Sequence, residues 1–256
     1  MDEIPRIYCI NLRSSEERRK RMIQRFSHHN LLDRVTFVDA VSRDSGLVDH
    51  YGHHILDPRN IKKHRNEVAC FASHLKAIRQ FLEETSKTED EGAIICEDDV
   101  LLSNDFLKRY NETFANIPDN SPLIALGYII WHWSGYKWAG NKPDQLNLCK
   151  ITPENTWGAQ MYWISRKYAV KALEIYDKPL QFLSGHLTSE LIIRFSEGYI
   201  AYPPLAIEDS IDSSIRPTQD MEVHYRTQSR WGYSNYSDTE TVHLSPLAPV
   251  ELRVKN

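Results

Sequence analysis

Residues 97–99 place three carboxylates in a row, Glu97-Asp98-Asp99, directly after the apolar run Ala93-Ile94-Ile95-Cys96. Adjacent carboxylates repel one another unless a cation or hydrogen-bond donors compensate them. Oxygen ligands of this kind suit Mg²⁺ or Mn²⁺, commonly shared with substrate phosphates. The other reading is a helix cap with acidic first-turn residues, since Asn104-Asp105 follows closely. A short apolar run behind Gly92 predicts a buried strand of a parallel sheet, with its carboxyl end at the acids. Ligands of open α/β sheets sit at that end.

A second set of reactive residue types lies upstream. Glu67, Cys70 and His74 are spaced three and four apart, so they share one face of a helix predicted over residues 67–82, with Asn66 as its cap. A site role for His74 and a structural histidine beside its carboxylate are both open on this spacing. Residues 6–12 (RIYCINL) predict a first buried strand that ends at Asn11-Leu12-Arg13. Ser14 and Glu17 form a capping-box pattern that opens a helix to about Phe26. Its residues Arg18, Arg19, Lys20, Arg21 and Arg25 read mostly as a solvated face, with one or two in the first turns able to reach a diphosphate. Residues 35–41 predict a second strand carrying Asp39, placed to bind a ribose or base. Strand, helix and strand make a βαβ unit, yet no Gly-x-Gly-x-x-Gly follows the first strand, which disfavours a dinucleotide fold.

Residues 43–65 are polar and irregular and predict a mobile surface loop near the site. They hold His50, His53, His54 and His64, but no pair has convincing zinc-ligand spacing and no cysteine joins them. Downstream, the patterning predicts a helix over 105–114, strands over 123–131 and 157–165, and a helix over 166–176. A short helix over 189–195 carries Glu190, and a last strand over 199–207 is broken by Pro203-Pro204 and ends at Glu208-Asp209. Trp133, Tyr136 and Trp138 suggest an aromatic loop over a pocket. Residues 210–256 lack periodicity and predict a tail or lid, ordered only where it packs.

The 256 residues are enough for one large α/β domain or two small ones, and a composition 41% hydrophobic and 26% charged describes an ordinary soluble globule. A net charge of −4 offers no basic stripe for nucleic acid. No apolar run approaches the roughly 20 residues of a membrane span, and the acidic start has no signal-peptide core. A soluble, cytoplasmic protein is the expectation. Four scattered cysteines without a C-x-x-C spacing predict buried free thiols in a reducing compartment.

Five fragments, IYCINLRSSEERRKRM, FVDAV, EVACFASH, IICEDDV and GAQMYWISRKYA, stand in the order found in family 25 glycosyltransferases. The resemblance spans roughly residues 6 to 215. That family includes bacterial lipooligosaccharide galactosyltransferases and collagen hydroxylysine galactosyltransferases. The resemblance implies a GT-A-type, Rossmann-like fold with one sheet flanked by helices, a glycosyltransferase domain over residues 1–215, and a tail or lid over 216–256. It also implies a UDP-galactose or UDP-glucose donor, a glycan, glycoprotein or glycolipid acceptor, and Mn²⁺ or Mg²⁺ held by Glu97 and Asp99. By position, Asn11, Leu12, Arg13 and Arg18 match an opening element near the nucleotide. Glu67, Ser73 and His74 match a helix motif, and Gly158, Gln160 and Tyr162 fall in a block lining the sugar pocket. Asp39, by its place at a strand end, and Asp98, by its place in the acidic triplet, complete the expected donor-binding set.

An inverting transfer needs a carboxylate base for the acceptor hydroxyl. Glu190 is the first candidate, with Asp209 and Glu208 behind it, while His74 would hold donor or acceptor hydroxyls. Two other functions are weighed. A metal-dependent phosphohydrolase would want a nucleophilic Asp in a D-x-D-x-T/V context, which Val100 after Asp99 does not supply. A silent family member acting in recognition or adhesion is favoured by loss of the acidic triplet, which is intact here.

Overall fold

A computed structural model describes residues 4–55, 61–84, 91–118, 120–130, 147–151, 156–178, 198–209, 228 and 231–236. The chain opens with β1 (Ile7–Asn11), α1 (Glu16–His28) and β2 (Val35–Asp39). It continues through α2 (Gly46–Ile55) and α3 (Ile61–Glu84) to β3 (Gly92–Glu97), β4 (Val100–Leu102), α4 (Phe106–Phe114) and β5 (Leu123–Ile130). Then come β6 (Asn147–Lys150), β7 (Thr156–Ser165), α5 (Arg166–Tyr176), β8 (Tyr199–Tyr202) and β9 (Ala206–Glu208). The α/β class and the single sheet flanked by helices are as expected from the sequence.

The strands join one sheet in the order β2-β1-β3-β7-β5-β8-β6, with β9 bridging β4 and β5. β1 pairs in parallel with β2 on one side and β3 on the other, whereas β7 runs antiparallel to both β3 and β5. The sheet is therefore mixed, and β3 has a parallel neighbour on one side only. All five residues of β1 are buried, which is why the strand reads as an unbroken apolar run: both faces are covered. On one face, Tyr8, Ile10 and Ile95 pack with Val68, Phe71, Ala72, Leu75, Ile78 and Phe81 of α3, whose three- and four-residue spacing makes an apolar helical stripe. On the opposite face, Ile7, Cys9, Ile94 and Cys96 pack with Met22 and Phe26 of α1 and Phe106 and Tyr110 of α4.

Two helices differ from the sequence expectation. Residues 43–65 are not an irregular loop: α2 occupies much of the stretch and α3 begins at Ile61. Two glycines and three histidines weaken the intrinsic propensity of GLVDHYGHHI. Burial of Val48 and Tyr51, the latter edge-on to Phe71, overrides it. Asn66 consequently lies inside α3 instead of capping it. The Ser14–Glu17 capping box does not form either. Ser15 is the N-cap and makes no side-chain cap bond, while Glu17 pairs with Lys20 at 2.7 Å. The sequence reading also lacked β4 and β6, and the expected strand over 199–207 divides into β8 and β9. Part of the C-terminal stretch packs on the core: Tyr233 and Tyr236 are buried against Leu101 and Ile207, and Tyr236 Oη donates to the Pro204 carbonyl at 2.7 Å.

All four cysteines are free thiols, Cys9 and Cys96 buried, Cys70 and Cys149 partly exposed. Among the described residues no helix is long and apolar enough to cross a membrane.

Candidate active site

The parallel register sets the site. Asn11 stands opposite Asp39, and Ile10 opposite Glu97, so the carboxyl ends of β2, β1 and β3 open on one edge. β1 lies between the two strands that follow it, the arrangement that leaves a crevice beyond the strand ends. Here the acidic triplet divides between two faces of the sheet.

Toward α1, Asp98 and Asp99 close around a guanidinium. Arg18 contacts Asp98 Oδ1 at 2.9 Å and Asp99 Oδ2 at 2.6 Å, and Asn11 Nδ2 donates to Asp98 Oδ2 at 2.6 Å. Both aspartates are buried. Burial pushes both carboxyls above the ordinary aspartate range; Arg18 pulls against that shift, and Glu97 and Asp209 add to it. Asp99 Oδ1 is buried and has no hydrogen-bond partner among the described residues. A buried carboxyl oxygen without a partner marks a place where an ion or a water completes the hydrogen bonding.

Behind this pair lies a second ion pair. Arg25 contacts Asp209 Oδ2 at 2.8 Å, with side chains 4% and 0% exposed, and also donates to the Val100 carbonyl at 3.1 Å. The antiparallel pairing of β4 with β9 sets Val100 opposite Glu208, and Asp209 N donates to the Asp99 carbonyl at 2.8 Å. This corrects two expectations. Arg25 is not on the solvated face of α1. Asp209 is fully buried and held by the Arg25 guanidinium behind the acid pair, instead of lying open toward an acceptor. Glu208 is likewise buried. Glu190, the first candidate for the base, lies outside the described residues, as do Trp133, Tyr136 and Trp138.

Toward α3, Glu97 meets a buried histidine. His74 Nε2 lies 3.3 Å from Glu97 Oε1, and His74 Nδ1 lies 3.1 Å from Tyr162 Oη. Burial drives the Tyr162 hydroxyl well above its usual pKa, so it stays protonated. An ionised Glu97 can only accept, so a neutral His74 ring that pairs with both groups carries its proton on Nε2 and accepts from Tyr162 at Nδ1.

The remaining sequence candidates are dispersed around these two groups. Ser73 Oγ accepts from Val41 N at 2.8 Å and donates to the Ala69 carbonyl at 2.7 Å, fastening the end of the β2 turn to α3. Glu67 pairs with His64 at 3.2 Å instead of with His74. Asp39 pairs with exposed Arg13, which holds its carboxyl below the usual range, and its carbonyl accepts from Lys76 at 2.6 Å. Leu12 is half-buried at the turn into α1, where Ser15 N donates to its carbonyl at 2.8 Å. Gly158 adopts φ +81° beside Gln160, a conformation that glycine takes without steric cost. Gln160 is buried, and its Oε1 has no hydrogen-bond partner among the described residues.

With this geometry in view, the sequence matches the family described as glycosyltransferase family 25 (LPS biosynthesis protein) over residues 4–183. The chain belongs to that family. No curated protein matches the sequence significantly. Among solved structures, an inositol-1-phosphate CTP transferase from T. maritima is similar at 14% identity and a TM-score of 0.35, covering 89% of this chain and 98% of that one. A glycosyltransferase involved in glycosylating the major capsid of PBCV-1 gives 8% identity and 0.35, covering 87% and 100%. The galactosyltransferase LgtC, solved with donor and acceptor sugar analogues, gives 10% and 0.31, covering 98% and 99%.

Proposed function

We propose that this glycosyltransferase moves a hexose, galactose or glucose, from a UDP-sugar to a hydroxyl of a glycan, glycoprotein or glycolipid. The observation that carries the reading is the buried Asp98–Asp99 pair at the β3 edge, with Arg18 across it and Asp99 Oδ1 without a hydrogen-bond partner among the described residues.

The residues fit a hard divalent cation, Mn²⁺ or Mg²⁺. Such ions take oxygen ligands and commonly use one or two carboxylates, leaving the rest of the shell to phosphates and water. Asp99 would hold it with Asp98 beside it, and the ion would neutralise the charge developing on the departing diphosphate. Glu97, the partner of Asp99 in the sequence motif, is engaged by His74 and enters this set less directly. Arg18 supplies a second positive charge at the same edge, fixed in place by its two carboxylates. Asn11 orients Asp98. Arg13 and Asp39, exposed at the neighbouring strand ends, would meet the nucleoside. Gly158 and Gln160 on β7 would face the sugar, with the buried Gln160 amide as a hydroxyl acceptor. A base must still take the acceptor proton for transfer with inversion, and Glu190 remains our assignment for it.

The test is a donor-hydrolysis and transfer screen across UDP-hexoses, with Mn²⁺ and with EDTA. The reading expects turnover of one UDP-hexose that EDTA abolishes and Mn²⁺ restores, with inverted anomeric configuration in the product. Full turnover in EDTA removes the metal from the proposal, and retained configuration removes the base.

A further inference from the structure

Cys70, His74 and Glu97 present one sulfur, one nitrogen and one oxygen ligand atom within 4.8 Å of one another. Among the described residues this is the group of three such side chains that converges, and it lies across the sheet from Asp98 and Asp99. We propose that it is a second metal site, built for a borderline-soft divalent ion of the Zn²⁺ class. The inference does not rest on the reading of the donor site.

The ligand chemistry separates the two sites. A thiolate and an imidazole select zinc over magnesium or manganese, which prefer all-oxygen shells. Three protein ligands with a fourth position left for water or substrate is the pattern of an open zinc site. The geometry is near to what coordination asks. Two ligands held tetrahedrally at about 2.0–2.1 Å from zinc stand roughly 3.3 Å apart, and His74 Nε2 and Glu97 Oε1 are at 3.3 Å. Cys70 and His74 are four apart on α3, the helical spacing that lets two side chains grip one ion. Rotation of the Cys70 side chain is the adjustment that remains.

The surroundings complete the case. His74 is fully buried and stacks on Tyr162 with ring centroids 5.7 Å apart, so its ring is fixed. Metal-binding histidines use their second nitrogen to donate to an oxygen that fixes the tautomer, and Tyr162 Oη at 3.1 Å from Nδ1 is such an oxygen. Cys70 and Glu97 are partly exposed, which gives the ion a route in. On binding, the Cys70 thiol gives up its proton to solvent. The His74 proton shifts from Nε2 to Nδ1, where it donates to Tyr162, and the Nε2 and carboxylate lone pairs go to the ion. One proton is released per ion, and no oxidation state changes.

The experiment strips the full chain with chelator and titrates it with Co²⁺, a spectroscopic stand-in for zinc. The expected result is a thiolate-to-cobalt charge-transfer band that saturates at one equivalent and is discharged by Zn²⁺. The band should be lost in Cys70→Ser and kept in Asp99→Asn, which separates this site from the donor site. A band that persists in Cys70→Ser, or none in the stripped wild type, overturns the proposal. Alkylation of the wild-type chain guards against a misfolded variant. Zn²⁺ should slow iodoacetamide modification of Cys70 at least tenfold and leave Cys149, also partly exposed, unchanged. Equal rates for Cys70 with and without Zn²⁺ overturn the site as surely as a missing band.

Discussion

Replacing Arg25 with methionine tests how the acid cluster is held together. The guanidinium is 4% exposed and its partner Asp209 is 0% exposed, so the variant removes the cation facing a carboxylate that water does not reach. Breaking a buried pair from one side costs about 3–5 kcal/mol. Arg25 also donates to the Val100 carbonyl at 3.1 Å, and an unsatisfied buried acceptor adds about 1–3 kcal/mol. The methionine stem recovers part of the packing, so the net loss should be about 4–6 kcal/mol. For a chain of this size that lowers Tm by roughly 8–24 °C. The decisive comparison is the double variant Arg25→Met/Asp209→Asn, in which the buried negative charge is gone as well. It should regain at least about 2 kcal/mol over the single variant, because most of the loss is the uncompensated charge and not the missing attraction. Urea unfolding followed by circular dichroism reads all four corners of the cycle. A single variant within about 1 kcal/mol of the wild type, or a double variant no better than the single, refutes the reasoning.

Asp99→Asn should abolish metal-dependent transfer while leaving the urea midpoint at or above that of the wild type, since a neutral isostere escapes the desolvation that raises this carboxyl; a sharply destabilised variant, or one that still transfers, contradicts the assignment. The pH dependence follows from the same burial. Asp98 and Asp99 have folded pKa values raised above their unfolded ones, so the folded state holds their protons longer. Their contribution to stability is therefore most favourable in acid and is lost as pH rises from about 3.9, the ordinary aspartate value, through the raised folded values. Urea midpoints measured in EDTA should show this fall, and Mn²⁺ should flatten it; a rise in the aspartates' contribution over that window, isolated by comparison with Asp98→Asn/Asp99→Asn, reverses the sign and defeats the argument. Gly158→Ala should cost about 1–2 kcal/mol for an L-residue at φ +81° and should raise the donor KM, because the new Cβ would displace the Gln160 amide; unchanged stability and KM would mean that the turn relaxes freely.

The strand ends were legible because burial on both faces leaves a plain signature: RIYCINL and AIIC read as strands, and their polar exits, Asn11 and Glu97, fall on one edge of the sheet. The helix over 166–176 was equally plain, and Ser165 caps it through a bond from Tyr168 N. What the sequence hid was the sorting of neighbours. Glu97, Asp98 and Asp99 are consecutive, yet strand alternation and the turn that follows send the first to α3 and the others to α1. Arg25 looked like one more solvated charge, although it stands three residues after Met22 and one before Phe26, on the buried stripe of α1. A charged residue at an apolar position was the signal available. β4 is three residues long and exists through its pairing with β9, more than a hundred positions away, which no local pattern records. The convergence of Cys70 and His74 with Glu97 was half visible in the helical spacing and needed the parallel register of β3 to supply its third member.

The most direct test of the donor site is a crystal structure of the protein with Mn²⁺ and a non-hydrolysable UDP-hexose, with the manganese located by its anomalous signal. The account expects the ion in coordination distance of an Asp99 carboxylate oxygen, the diphosphate beside Arg18, and the uridine over Arg13 and Asp39. Manganese and diphosphate bound away from the carboxyl ends of β1 and β3, with Asp98 and Asp99 still closed on Arg18 alone, would contradict it.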